Sequence, residues 1–161
     1  MSYRSLCAGL LAGILLLTGC HEEKRVGEVP LVSLKTYSGE TYTVSPKDTL
    51  VTLIVFWATW CGPCKMEMPG LVALQTHYAN RGFRVVGINI DDAEGNKARR
   101  IMEHFGINYP MLIGDEELTK KFGGLTGIPT AFIVGRDGIL KDKIEGAAPE
   151  DLLESKIVAQ L

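Results

Sequence analysis

Cys61 and Cys64 are separated by Gly62 and Pro63, and they stand where an apolar run, Leu50 to Trp57, gives way to a stretch of helical character. Two thiols at that spacing can close a small disulfide ring and reopen it. A helix N-terminus presents unpaired backbone N–H groups and the positive end of the helix dipole. Both favour the thiolate, which is the reactive form of cysteine. The chemistry written here is thiol–disulfide exchange through a redox-active Cys61–Cys64 pair, with no cofactor required.

The other two of the four cysteines have different prospects. Met1 to Ser5 carry one positive charge, Arg4, and Leu6 to Leu17 form an apolar core of signal-peptide length, too short for a comfortable membrane span. The run ends in Leu17-Thr18-Gly19-Cys20, which resembles a bacterial lipobox, where the chain is cut before the cysteine and acylated on it. Residues 1–19 are therefore expected to leave as a signal peptide that takes Cys7 with it, and Cys20 to carry lipid that holds the protein on a membrane surface. An ordinary secretory signal, or an uncleaved anchor helix, with Cys20 incidental, is the alternative. A structural zinc site needs four ligands, and His77 and His104 stand alone, so no metal is expected. Without Arg4 the 17 basic side chains fall to 16 against 19 acidic ones, a formal charge of −3. That balance argues against nucleic acid as a partner.

The elements that must position the cysteines follow from periodicity. His21 to Pro30 is polar and reads as a tether over residues 20–30, leaving one domain over 31–161. Leu31 to Lys35 and Thr41 to Ser45 flank Ser38-Gly39 as a β-hairpin. Leu50 to Trp57 is the pattern of a buried central strand. A helix from Pro63 to about Asn80 carries Leu71, Leu74 and Tyr78 inward, and Pro69 is expected to kink it. Phe83 to Ile90 is a second buried strand, and Ala93 to Phe105 a helix with Ile101 and Phe105 inward. Tyr109 to Ile113 is a short apolar segment and Glu116 to Phe122 a small helix. Thr130 to Val134 and Ile139 to Ile144 bracket the turn Arg136-Asp137-Gly138, and Pro149 to Gln160 forms a terminal helix. This order predicts an α/β fold with a mixed sheet, helices on both faces and the CxxC at the carboxyl end of a strand.

Phe56-Trp57-Ala58-Thr59-Trp60-Cys61-Gly62-Pro63-Cys64, Pro69 beyond it and Gly127-Ile128-Pro129-Thr130 downstream together resemble a thioredoxin fold. Cys61 to Pro69 fits the CxxCxxExP pattern of the TlpA/ResA branch of membrane-anchored, extracytoplasmic thiol–disulfide oxidoreductases. The resemblance implies an N-terminal β-hairpin and an inserted helix and strand between the βαβ and ββα halves. Cys61 is then the nucleophile and the more exposed sulfur, and Cys64 the thiol that resolves a mixed disulfide. The resemblance implies a cis Ile128–Pro129 bond facing the CxxC, with the Ile128 backbone receiving a substrate strand. Gly62 and Pro63 shape the turn, and Trp60 forms a partly exposed lid above core Trp57.

Thioredoxin itself has a buried aspartate in the strand before the motif, and that position here is Val55. Glu67, three residues after Cys64, lies on the same helical face and is placed to exchange a proton with it; a solvated helix glutamate is the alternative. Met66 and Met68 read as core or groove packing, and Lys65 as added positive charge beside the thiolate. The resemblance further implies a lipid-anchored reductant in the bacterial cell envelope, on the periplasmic side, and a monomer is the default expectation. Its substrates would be cysteines of exported proteins, such as apocytochrome c or copper-site proteins, and a membrane thiol-reducing partner would recharge it. A copper-binding oxidase assembly factor, or an oxidising or peroxidase-type member of the same fold, are the other readings. The peroxidatic threonine loop of the last is not recognisable around Cys61.

Overall fold

The computed structural model describes residues 27, 29–45 and 47–161. The signal segment 1–19, the proposed lipidation site Cys20 and most of the tether lie outside the described residues. The described chain runs β1 (Val32–Lys35), β2 (Thr41–Val44), β3 (Val51–Trp57), α1 (Gly62–Tyr78), β4 (Phe83–Asn89), α2 (Asn96–Phe105), β5 (Met111–Ile113), α3 (Glu116–Lys121), β6 (Thr130–Val134), β7 (Leu140–Glu145) and α4 (Glu150–Val158).

All seven residues of β3 are buried. Side chains alternate across a strand, so a strand covered on both faces needs the near-continuous apolar composition seen here. β4 pairs with β3 in parallel and β6 pairs with it antiparallel. β5 extends the sheet beyond β4 and β7 extends it beyond β6, giving the order β5-β4-β3-β6-β7. β1 and β2 form a separate two-stranded hairpin, closed at Gly39 (φ +92°), a left-handed conformation that glycine adopts without steric cost.

On one face of the sheet Leu53, Val55 and Trp57 meet Cys64, Met68, Leu71 and Leu74 of α1, with Leu153 and Ile157 of α4 behind them. The α1 positions recur at three- and four-residue steps, so one stripe of the helix faces the sheet. On the other face Ile54, Phe56, Val86 and Ile88 are covered by Val32 and Val44 of the hairpin and Leu118 of α3. Each large aliphatic side chain taken out of water in this way contributes about 1.5–3 kcal/mol.

Two boundaries differ from the sequence reading for physical reasons. Val29, assigned to the tether, is buried in the second core, and its N–H donates to Gly138 O at 3.3 Å, while Gly27 O accepts from Leu140 N at 2.8 Å. Packing therefore begins upstream of residue 31. α2 starts at Asn96 instead of Ala93, because the Asp92 carboxylate takes up the N–H groups of Gly95, Lys97 and Ala98 and closes a turn ahead of the helix. The end of α1 agrees with the sequence reading: the helix runs to Tyr78 with Pro69 inside it, and a short 3-10 turn closes it at Gly82 (φ +80°).

Candidate active site

The carboxyl end of β3 turns into α1 over Ala58-Thr59-Trp60-Cys61. The turn is closed by the Cys61 N–H donating to Ala58 O at 3.1 Å. Cys61 is the N-cap of α1, and its Sγ accepts the Cys64 N–H at 3.2 Å. Pro63 falls in the first turn, where its missing N–H leaves no helical bond unmade. Cys61 and Cys64 are joined as a disulfide with their Cα atoms 5.4 Å apart.

Both cysteines are buried, Cys61 at 3% exposure and Cys64 at 2%. Both belong to the core cluster, and the Gly127–Pro129 loop closes over the Cys61 sulfur. Gly62 and Pro63 between them are exposed.

That loop is aligned by sheet register. β6 pairs with β3 so that Thr130 stands opposite Phe56, which carries residues 127–129 alongside the β3–α1 turn. The Ile128–Pro129 peptide is cis, and the Ile128 carbonyl oxygen lies 3.8 Å from Cys61 Sγ. Thr130 Oγ1 donates to Gly127 O at 2.7 Å, and Pro129 O accepts the Gly146 N–H at 2.8 Å, so both ends of the loop are tied. A groove of about 480 Å³ opens beside it, walled by Trp60, Ile90, Leu125, Thr126 and Ile128. Trp60 is 71% exposed, whereas Trp57 is buried and donates its indole N–H to Met111 Sδ at 2.8 Å.

Glu67 lies one turn beyond Cys64, and its Oε1 accepts the Ala148 N–H at 2.6 Å. Burial raises its carboxyl above the ordinary glutamate value, and the Ala148 N–H offsets part of that rise. A second cavity, about 420 Å³, is bounded by Met66, Glu67, Pro69, Ala148, Pro149 and Leu153. Met68 is core, but Met66 is 81% exposed and forms the outer wall of this cavity.

Sequence reasoning missed the polar group behind the turn. Thr59 donates its N–H to Asp91 Oδ1 at 2.8 Å and its hydroxyl to Asp91 Oδ2 at 2.6 Å. Lys65 Nζ donates to Thr59 O at 3.3 Å. Asn89, 1% exposed, supports Asp91 through its Nδ2 at 2.8 Å and stands 3.0 Å from the Tyr37 hydroxyl. The available signal was Asn89 itself, an amide ending an apolar strand next to the CxxC strand. Among the described residues no group of three or more His, Cys, Asp or Glu side chains is gathered as a metal ion would need.

With that geometry in place, the chain matches the AhpC/TSA family over residues 27–143. The chain belongs to the AhpC/TSA family. Within it, the chain is 32% identical to thioredoxin-like protein YneN of Bacillus subtilis, across 91% of this chain and 95% of that one. It is 29% identical to the thiol-disulfide oxidoreductase ResA of Geobacillus thermodenitrificans, across 60% of this chain and 55% of the relative. A thiol:disulfide interchange protein of the thioredoxin family from Chlorobium tepidum superposes with a TM-score of 0.76 at 29% identity, covering 86% of this chain and 98% of that structure. This AhpC/TSA member has a thioredoxin-like fold and is a thiol–disulfide oxidoreductase of the ResA type.

Proposed function

We propose that the chain is a lipid-anchored, extracytoplasmic reductant of disulfides in exported proteins, acting through Cys61 and Cys64. The observation that carries the protein-substrate reading is the Ile128 carbonyl 3.8 Å from Cys61 Sγ, backbone beside which an extended peptide can lay a strand with its cysteine at the sulfur. Trp60 and the groove beside it supply apolar surface for the flanking residues. Gly62-Pro63 between the cysteines supports the reducing direction, and Leu17-Thr18-Gly19-Cys20 supports the lipid anchor. Apocytochrome c and copper-site cysteines are the substrates that the family resemblance favours. No helix among the described residues is long and apolar enough to cross a membrane.

In the reduced protein the Cys61 thiolate, stabilised by the Cys64 N–H and the α1 dipole, attacks one sulfur of the substrate disulfide. The substrate S–S bond breaks, and its electron pair leaves on the second substrate sulfur, which takes up a proton. Cys64 then loses its proton and attacks Cys61 Sγ in the mixed disulfide. The Cys61–Cys64 bond forms, and the first substrate sulfur leaves as a thiolate and is protonated. Two electrons and two protons have passed to the substrate. Glu67, one turn from Cys64 and held above its ordinary pKa by burial, is placed to take the Cys64 proton.

The deciding experiment is the reduction potential of the Cys61–Cys64 pair. A value near about −270 mV, where thioredoxin lies, is expected; a value near about −120 mV, the strongly oxidising end, would make the chain an oxidant.

A further inference from the structure

We propose that Thr59, Asp91, Asn89 and Tyr37 form a positioning relay through which the N-terminal hairpin sets the redox equilibrium of the Cys61–Cys64 pair. Thr59 lies two residues before Cys61, inside the turn that delivers it to the helix end. Each of its three polar groups is held: the N–H and hydroxyl by the two oxygens of Asp91, and the carbonyl by Lys65. Thr59 itself is 9% exposed, while Asp91 reaches solvent, so these bonds are part-buried.

Asp91 is fixed in turn by Asn89, whose Nδ2 donates to Asp91 Oδ1 and whose Oδ1 accepts the Asp91 N–H at 3.2 Å. Asn89 Oδ1 also accepts the Asp92 N–H at 2.8 Å. The Tyr37 hydroxyl closes the relay, 3.0 Å from Asn89 Oδ1 and 2.8 Å from Asp92 O, with one proton between the two. Tyr37 belongs to the segment linking β1 and β2, and its ring is seated tightly. A Cβ on Gly95 would come within 2.6 Å of it, and the Arg99 guanidinium lies 5.8 Å from its centroid. The hairpin thus reaches the active-site turn through a chain of hydrogen bonds, buried between Tyr37 and Asn89 and part-buried from Asn89 through Asp91 to Thr59, although it pairs with no strand of the turn.

The consequence runs through the helix cap. With the turn held, Cys61 Sγ stays within reach of the Cys64 N–H, a donor that is strongest toward the thiolate. If Thr59 is released, the thiolate loses part of that donor, the reduced form is less favoured, and the equilibrium moves toward the disulfide. Thr59 and its partners are positioning residues, since none of them meets the exchanging sulfurs. The relay rests on Cys61–Cys64 exchange and is independent of its physiological direction.

The test equilibrates the full-length chain with glutathione buffers and counts free thiols by alkylation and mass. Thr59→Val removes the hydroxyl at nearly constant shape, Thr59→Ser keeps it, and Tyr37→Phe removes the distal hydroxyl. All three leave Asp91 and Lys65 charged. Thr59→Val is expected to favour the disulfide about tenfold, the loss of one hydrogen bond to a charged group, or ~30 mV for this two-electron couple. Tyr37→Phe shifts it in the same direction by less, Thr59→Ser matches wild type, and the double variant shifts no further than Thr59→Val. Thr59→Ala replaces the valine variant if that one does not fold. Folded Thr59 and Tyr37 variants with the wild-type equilibrium would overturn the relay. Shifts that multiply in the double variant would remove Tyr37 from it. A wild-type pair that exchanges with neither glutathione nor a protein dithiol or disulfide would sink the exchange reading itself.

Discussion

Cys61 Sγ and the Ile128 carbonyl oxygen face each other at 3.8 Å, across a gap between two elements 67 residues apart in sequence. The sulfur comes from a helix cap and the oxygen from the loop entering β6, so the redox pair and the backbone proposed to receive a substrate strand lie at one point. A mixed disulfide formed on Cys61 would carry its substrate along this loop.

That arrangement separates the roles of the cysteines. Cys64→Ser should accumulate a covalent mixed disulfide with a cysteine-containing substrate, because nothing remains to resolve it. Cys61→Ser should form none. Non-reducing electrophoresis with mass analysis of the adduct tests both. A stable adduct on Cys64 in the Cys61→Ser chain, at wild-type rate, would reverse the assignment.

Trp60 is exposed without any burial role in the free protein. Trp60→Ala should therefore leave Tm within a degree or two, yet lower kcat/KM for a disulfide-bonded protein by about tenfold, the loss of an aromatic anchor worth more than ~1 kcal/mol. Steady-state kinetics beside thermal unfolding separates the two effects. An unchanged kcat/KM would take the groove out of substrate binding.

Glu67 gives the fold a pH signature. Its folded carboxyl lies above the ordinary value of 4.5, with burial as the largest cause. A group raised on folding contributes stability fully below its unfolded pKa and loses that contribution as pH rises through the folded value. Glu67→Gln carries no charge at any pH and keeps an acceptor for the Ala148 N–H. Relative to wild type it should gain stability between about pH 4 and about pH 7. Denaturant unfolding at both pH values is the measurement, and a constant difference between the two chains would contradict the direction.

Met111 accepts the Trp57 indole proton while lying over Gly87, where a Cβ would stand 2.5 Å from the Met111 sulfur. Gly87→Ala should displace that thioether from a closed core and cost about 1–3 kcal/mol in unfolding free energy. Gly123→Ala, at a glycine with φ +82° but open space around it, is the comparison that measures backbone strain without a clash.

The reach of the sequence can be judged from these same residues. Leu50 to Trp57 is legible because a strand buried on both faces leaves little choice of residue. The turn Arg136-Asp137-Gly138 is legible because glycine marks the left-handed position, here Gly138 at φ +74°. The CxxC, Glu67 and Ile128-Pro129 can be read as a set from local patterns and their order. What escapes is tertiary. Thr59 to Asp91, Tyr37 to Asn89 and Glu67 to Ala148 span 32, 52 and 81 residues, and nothing local in any of them names its partner. The burial of Cys61 escapes for the same reason, since its cover comes from the loop before β6.

The two cysteines are largely buried while the apolar side chains flanking them in sequence, Trp60 and Met66, project into solvent at 71% and 81% exposure. Collision is thus a poor route to the electrons and docking a good one. A dissolved small oxidant meets indole and thioether surface before it meets the disulfide, whereas a protein that seats itself on those side chains brings its own sulfur to the opening. The site behaves as an insulated contact, exchanging charge with what plugs into it and leaking little to the medium around it.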